Sequence, residues 1–230
     1  MIFEDNFKMG LKDIGKYNLM KDRSMLEMFE NIGAYHSDIV GYGANDTIKT
    51  KVIWILFDWK LKVIKRPKYG QNIHIKTWGR DMQKAYTYRD FELYDEQNNL
   101  CAIATSKWAI VNYDSGKLVR ITDEIANSYG VEEKSVFENR KIEKINLPNT
   151  YTNTYNYTVS RRDIDINGHM HNLYYLDLAY EALPQEVYEK RPYNNVIINY
   201  KKEIRIGETV KCKYGLIDNK HVVAIYSEDE

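Results

Sequence analysis

Between Ser160 and Tyr180 the chain reads SRRDIDINGHMHNLYYLDLAY, and this stretch gathers the residues best suited to chemistry. Asp163, Asp165, Asn167 and His169 hold odd positions, while Ile164, Ile166 and Met170 hold even ones. Alternate side chains of an extended backbone leave opposite faces, so the polar set is expected on one side and an anchoring apolar set on the other. A carboxylate can attack a carbonyl or take a proton from water, and an amide and an imidazole can orient that water and steady an oxyanion. Asp165, Asn167 and His169 are the candidates for this work. Asp163, next to Arg161 and Arg162, is read as structural, capping a turn or pairing with one of the arginines. His169 and His171 are spaced like metal ligands, but no further His or Cys pair completes a set, so no metal and no cofactor is expected. His36, His74 and His221 are read as structural.

The elements that must position this cluster follow from the pattern around it. From Asn172 the period becomes helical, with Leu173, Leu176, Ala179, Tyr180 and Leu183 in an apolar stripe that Pro184 closes. Asn172 is the expected N-cap, which would set the first free amides of that helix beside Asn167 and His169. Earlier, Phe3–Leu11 reads as a strand, and a helix opened by Asp22 or Ser24 carries Met25, Leu26, Phe29, Ile32, Tyr35, His36 and Ile39 on one face, ending at Gly41 and Gly43. Lys51–Lys65, Gln71–Trp78, Lys84–Tyr94 and Leu100–Val111 are rich in β-branched and aromatic residues and separated by turn signals, which predicts a four-stranded antiparallel meander. Thr122–Tyr129 reads as a short capped helix stopped by Gly130, and Val131–Asn149 as a charged crossing linker.

The opening pattern then returns. Phe7–Ile14 aligns residue for residue with Tyr157–Ile164, each followed by a helix, and Tyr69-Gly70-Gln71-Asn72-Ile73-His74-Ile75 is echoed by Ile206-Gly207-Glu208-Thr209-Val210-Lys211-Cys212. Two copies of one helix-plus-sheet unit account for the length, with residues 1–120 as the first, 121–150 as a linker with a short helix and 151–230 as the second. Against Asp165, Asn167 and His169 the first copy has Gly15, Tyr17 and Leu19, so only the second keeps the polar cluster. The second copy shows no counterpart of Leu100–Val111, which leaves its sheet short of an edge strand or the sequence incomplete.

Composition narrows the function further. Thirty-three basic and 33 acidic residues balance in 230, so no overall field points to nucleic acid or an anionic membrane. No apolar run has the length of a signal peptide or a bilayer span, and a cytoplasmic protein is expected. Cys101 and Cys212 lie far apart without metal or disulfide spacing.

Asp163-Ile-Asp165-Ile-Asn167-Gly-His169-Met-His171-Asn172-Leu-Tyr-Tyr175 resembles the D-x-D-x-N-x-H-x-N-N-x-x-Y signature of plant and bacterial acyl-acyl-carrier-protein thioesterases. Tyr200-Lys201-Lys202-Glu203-Ile204 resembles that family's Y-R-R-E-C strand, and Ser24–Ala34 its first central helix. The resemblance implies an α+β chain of two tandem hot-dog units, each a long helix wrapped by an antiparallel sheet. It implies hydrolysis of a fatty acyl carrier protein thioester without metal, with Asp165, Asn167, His169 and Glu203 as catalytic residues. It further implies an acyl pocket in the first unit, for which Met25, Met28, Phe29, Ile32 and Trp54 are candidates. The partner would be an acidic carrier protein presenting the acyl chain on phosphopantetheine, met by Arg161 and Arg162, and the chain would be a monomer or a homodimer. Two positions depart from the pattern: Ile204 stands where many plant members have cysteine, and His171 replaces the first asparagine of the pair. An acyl-CoA thioesterase on the same fold, or a non-catalytic acyl-binding hot-dog, are the alternatives.

Overall fold

A computed structural model describes residues 1–227. The chain divides into two compact units, one of Met1–Glu143 with Tyr193–Ile197, the other of Lys144–Pro192 with the segment that starts at Ile198.

In the first unit β1 (Phe3–Lys8) precedes α1 (Asp22–Ile39), a single-turn α2 (Thr47–Thr50), β2 (Val52–Val63), β3 (Asn72–Gln83), β4 (Tyr86–Asp95), β5 (Leu100–Asn112) and α3 (Asp123–Tyr129). The sheet runs β1-β3-β4-β5-β2, so β3, β4 and β5 form a meander but β2 lies beyond β5 and pairs with it, Leu56 opposite Trp108. This corrects the simple four-strand meander. The β2–β3 connection is tied to the approach of α1 instead of closing a hairpin: Pro67 accepts the amide of Met20 at 3.0 Å, and buried Arg66 pairs with Asp22 at 2.6 Å. Met25, Leu26, Phe29 and Ile32 of α1 are fully buried, and Phe29 stacks on Phe91 at 4.9 Å. Each such side chain stabilises the unit by roughly 1.5–3 kcal/mol through burial. Tyr35 and Ile39, expected on the same stripe, are exposed, and His36 takes the inward position.

Thr122 caps α3 by accepting the amide of Ile125 at 3.3 Å. The stretch after it is not a free linker: residues up to Glu143 belong to the first unit. Trp78 donates its indole N–H to the Lys134 carbonyl at 3.0 Å, the Val136 amide reaches Asp90 at 2.9 Å and Arg140 pairs with Asp81 at 2.8 Å.

The second unit contains β6 (Asn153–Thr158), α4 (Tyr174–Glu181), α5 (Gln185–Tyr188), β8 (Thr209–Ile217) and β9 (Lys220–Ser227). Its described sheet is β6-β8-β9, while β7 (Asn195–Asn199) stands next to β2 in the other sheet, within the portion up to Ile197 that belongs to the first unit. The sequence repeat is a structural repeat. Phe7 faces Ile73 as Tyr157 faces Val210, and Gly70 and Gly207 both bond back, to Met9 and Val159, with a φ of 81° that favours glycine. The helices differ: α1 has 18 residues, whereas α4 has eight and stops short of Pro184. Val159, Met170, Leu178, Ala182, Ile204, Val210 and Cys212 form the second core. Among the described residues, no helix is long and apolar enough to cross a membrane.

Candidate active site

The stretch from Asp163 to Met170 is a closed loop, not the extended strand that its alternation suggested. Ile164 and Met170 bridge across it, the Asp165 amide reaches the His169 carbonyl at 2.8 Å, and Gly168, at a φ of 80°, turns the chain. That turn breaks the parity of the pattern. Ile164 and Met170 still reach the core, but Ile166 is 89% exposed and anchors nothing. Asp165 Oδ1 accepts the amides of Asn167 at 2.8 Å and His169 at 3.1 Å, so this carboxylate is fixed by the loop it sits in. Its Oδ2 has no hydrogen-bond partner among the described residues.

Asp163 supports the loop from below. Buried, it accepts the Tyr157 hydroxyl at 2.7 Å, the Ser160 amide at 2.7 Å and the Ser160 hydroxyl at 2.8 Å on Oδ2. Burial pushes its carboxyl up, but these donors and the Arg162 guanidinium outweigh it and hold the group below its ordinary range.

Glu203 comes to the loop from a segment that lies in no strand, residues 200–204 between β7 and β8. Arg205 bridges to His169, and the Met170 amide donates to the Ile204 carbonyl at 2.8 Å. These contacts bring Glu203 Oε2 to 3.1 Å from His169 Nε2. Asp165, His169 and Glu203 thus meet around one loop, while the Asn167 side chain stands exposed at its tip.

The helix start differs from expectation. Asn172 is not the N-cap: α4 starts at Tyr174 with Leu173 in the cap position and no side-chain cap, and ahead of it His171 accepts the Leu173 amide on Nδ1 at 3.3 Å and the Tyr174 amide on its carbonyl at 3.0 Å. The Tyr175 and Leu176 amides bond to Asn172 and Leu173. The first amides of the helix are therefore occupied and not free to polarise a carbonyl. Sequence reasoning also gave no role to Tyr175 and Tyr200, whose hydroxyls donate to the carbonyls of Lys202 at 3.2 Å and Asn172 at 3.0 Å. Both stand inside the quoted motifs, which was their only signal.

The first unit closes the same loop without the chemistry: the Gly15 amide reaches the Leu19 carbonyl at 2.8 Å, and Leu19 stands where the second unit has His169. Where Glu203 would be, matched through the Met20–Pro67 and Met170–Ile204 bonds, is Arg66, engaged with Asp22 and the Met20 carbonyl. Cys212 is fully buried with its thiol pushed up to about 12, which leaves no accessible thiolate. Met25, Met28, Phe29 and Ile32 line the buried face of α1, whereas Trp54 packs edge-on against Tyr129 in a different apolar group, with Ile110, Ile121 and Ile125. Arg161 and Arg162 are exposed. Among the described residues, no three His, Cys, Asp or Glu side chains are grouped to share an ion.

A helix laid on an antiparallel sheet, repeated once in the chain with the polar loop in one copy alone, defines a tandem hot-dog protein. Residues 1–129 match the acyl-ACP thioesterase N-terminal domain and residues 146–226 the C-terminal domain. The chain belongs to the acyl-ACP thioesterase family. It is 24% identical over 225 residues to the oleoyl-acyl carrier protein thioesterase 1 of Arabidopsis thaliana, covering 90% of this chain and 62% of that one. It is 23% identical over 215 residues to a palmitoyl-acyl carrier protein thioesterase of Cuphea hookeriana, covering 88% and 52%. The chain thus spans only between half and two thirds of the length of these curated relatives. Two solved structures share the fold: an acyl-ACP thioesterase from Bacteroides thetaiotaomicron, with TM-score 0.89, 19% identity and 100% and 93% coverage, and a 12:0-ACP thioesterase from Umbellularia californica, with TM-score 0.86, 18% identity and 99% and 92% coverage.

Proposed function

We propose that this protein hydrolyses the thioester of a fatty acyl carrier protein and releases the free fatty acid, using Asp165, Asn167, His169 and Glu203. The observation that carries the reading is the 3.1 Å contact of His169 with Glu203 beside a carboxylate whose Oδ1 is already committed to two amides. In this scheme Asp165 Oδ2 either attacks the thioester carbonyl or takes the proton from the attacking water. Glu203 and His169 position the hydrolytic water and relay its proton. The carbonyl carbon gains a bond to oxygen and loses its bond to sulfur, and the thiolate, whose conjugate acid has a pKa of about 8.5, leaves with little help; where Asp165 is the attacking oxygen, water then opens the mixed anhydride to free acid and regenerates the carboxylate. With the helix amides occupied, the Asn167 carboxamide and the imidazole are the donors for the oxyanion. The acyl chain would lie against Met25, Met28, Phe29 and Ile32 of α1, without Trp54, which packs in the other apolar group, and the acidic carrier would meet Arg161 and Arg162.

The test compares hydrolysis of acyl-carrier-protein and acyl-CoA thioesters over a range of chain lengths, for the native chain, Asp165→Asn and Glu203→Ala. Faster turnover of the carrier-protein substrate is expected, with a loss of roughly 100-fold or more in each variant. Near-native rates in both variants would remove the catalytic scheme, preference for acyl-CoA would reassign the substrate, and binding without turnover would make the protein an acyl carrier. A single turnover in heavy-oxygen water that leaves label in the protein identifies Asp165 as the nucleophile, since only an anhydride opened by water at the Asp165 carbon puts solvent oxygen there.

A further inference from the structure

Glu203 has no sheet ladder of its own to hold it, and its side chain is 58% exposed. A long side chain on irregular backbone samples many rotamers unless its segment is pinned. Two tyrosines pin it crosswise. Tyr175, on the first turn of α4, donates to the carbonyl of Lys202, the residue before Glu203. Tyr200, on the Glu203 segment, donates back to the carbonyl of Asn172 at the start of α4, and the two rings meet edge to face at 5.4 Å and 84°. Burial and the charge of Glu203 push the Tyr175 phenol up, so it stays a donor wherever carboxylates and imidazoles titrate.

The first unit supplies the comparison. Counting from the matched loops, Met25 and Val63 stand at the positions of Tyr175 and Tyr200, and neither can donate such a bond. The unit that has lost the histidine and the glutamate has also lost both hydroxyls, although its loop closes in the same way.

We infer that Tyr175 and Tyr200 are positioning residues, a reciprocal latch that sets Glu203 against His169, and this rests on the hydrolysis proposed above for its catalytic meaning. Phenylalanine at either position keeps the ring contact and removes one hydrogen bond. Tyr175→Phe and Tyr200→Phe should each lower kcat roughly tenfold while KM stays within about twofold. In a Glu203→Gln background, adding Tyr175→Phe should change kcat by less than about twofold, because the latch acts through Glu203. Native kcat in both single variants, or the same loss with and without Glu203, would overturn the inference. Amide exchange gives a reading that needs no substrate: Met170, bonded to Ile204, and residues 200–205 should exchange faster in Tyr175→Phe, with β8 unchanged. Faster exchange in a protein that hydrolyses no thioester would sink the proposed function and leave the latch standing. Unchanged exchange would sink the latch.

Discussion

Asp163 and Asp13 offer a measurement with its own internal control. They occupy matching positions in the two units and are both buried, 2% and 4% exposed. Among the described residues Asp163 Oδ2 receives three donors from Tyr157 and Ser160, whereas Asp13 Oδ2 receives only the Gly10 amide, at 2.9 Å. The difference is a matter of sequence, since Phe7 and Gly10 have no hydroxyl to offer where Tyr157 and Ser160 do. An asparagine can set its oxygen where Oδ2 was and keep every donor, but each bond falls from charge-assisted, about 1.5–3 kcal/mol, to neutral, about 0.5–1.5 kcal/mol. At roughly 1 kcal/mol per donor, Asp163→Asn should cost its unit about 3 kcal/mol and Asp13→Asn about 1 kcal/mol. The assays can be kept apart. Trp54, Trp59, Trp78 and Trp108 all lie in the first unit, so tryptophan fluorescence in urea follows that unit, and amide exchange in β6 and β8 follows the other. The pH dependence has a definite sign. The folded Asp163 pKa lies below the unfolded value of about 3.9, so its stabilisation is present above that value and disappears as pH falls through the folded pKa. The gap between native protein and Asp163→Asn should therefore narrow as pH falls below the unfolded value and through the folded pKa. Equal costs for the two substitutions, or a gap unchanged in acid, would refute the reasoning.

Two further outcomes follow from burial. Iodoacetamide should leave Cys212 unmodified and activity intact in the native protein, with reaction only in denaturant, because the thiol is fully buried and pushed up to about 12; alkylation of the native protein at Cys212 would contradict this. Ile166→Ser should change stability by no more than about 0.5 kcal/mol, as the side chain is 89% exposed, and an urea-melt loss above about 1 kcal/mol would show that Ile166 packs after all.

The elements were legible wherever one periodicity ran long enough. The buried stripe of α1, the four long strands, the Thr122 cap and the repeat of Phe7–Ile14 in Tyr157–Ile164 all stand in the sequence and in the structure. The eight residues from Asp163 to Met170 misled, because alternation over so short a span also fits a loop closed by a glycine at positive φ. The cap at Asn172 misled for a related reason: an asparagine can cap a helix, but the helix starts where the loop delivers the chain, here at Tyr174 with Leu173 in the cap position.

The sequence by itself determined the family pattern, the duplication and the identity of the groups that could act, since these are properties of residue type and spacing. Tertiary structure decided where β2 pairs, that residues 131–143 lie on the first unit, and that Glu203 reaches His169 from a segment outside any strand. Those outcomes depend on contacts between residues far apart in the chain, here the Arg66–Asp22 pair, the Val136–Asp90 bond and the Tyr175–Lys202 bond. No local pattern encodes such contacts, because each exists only once the folded chain brings its two partners together.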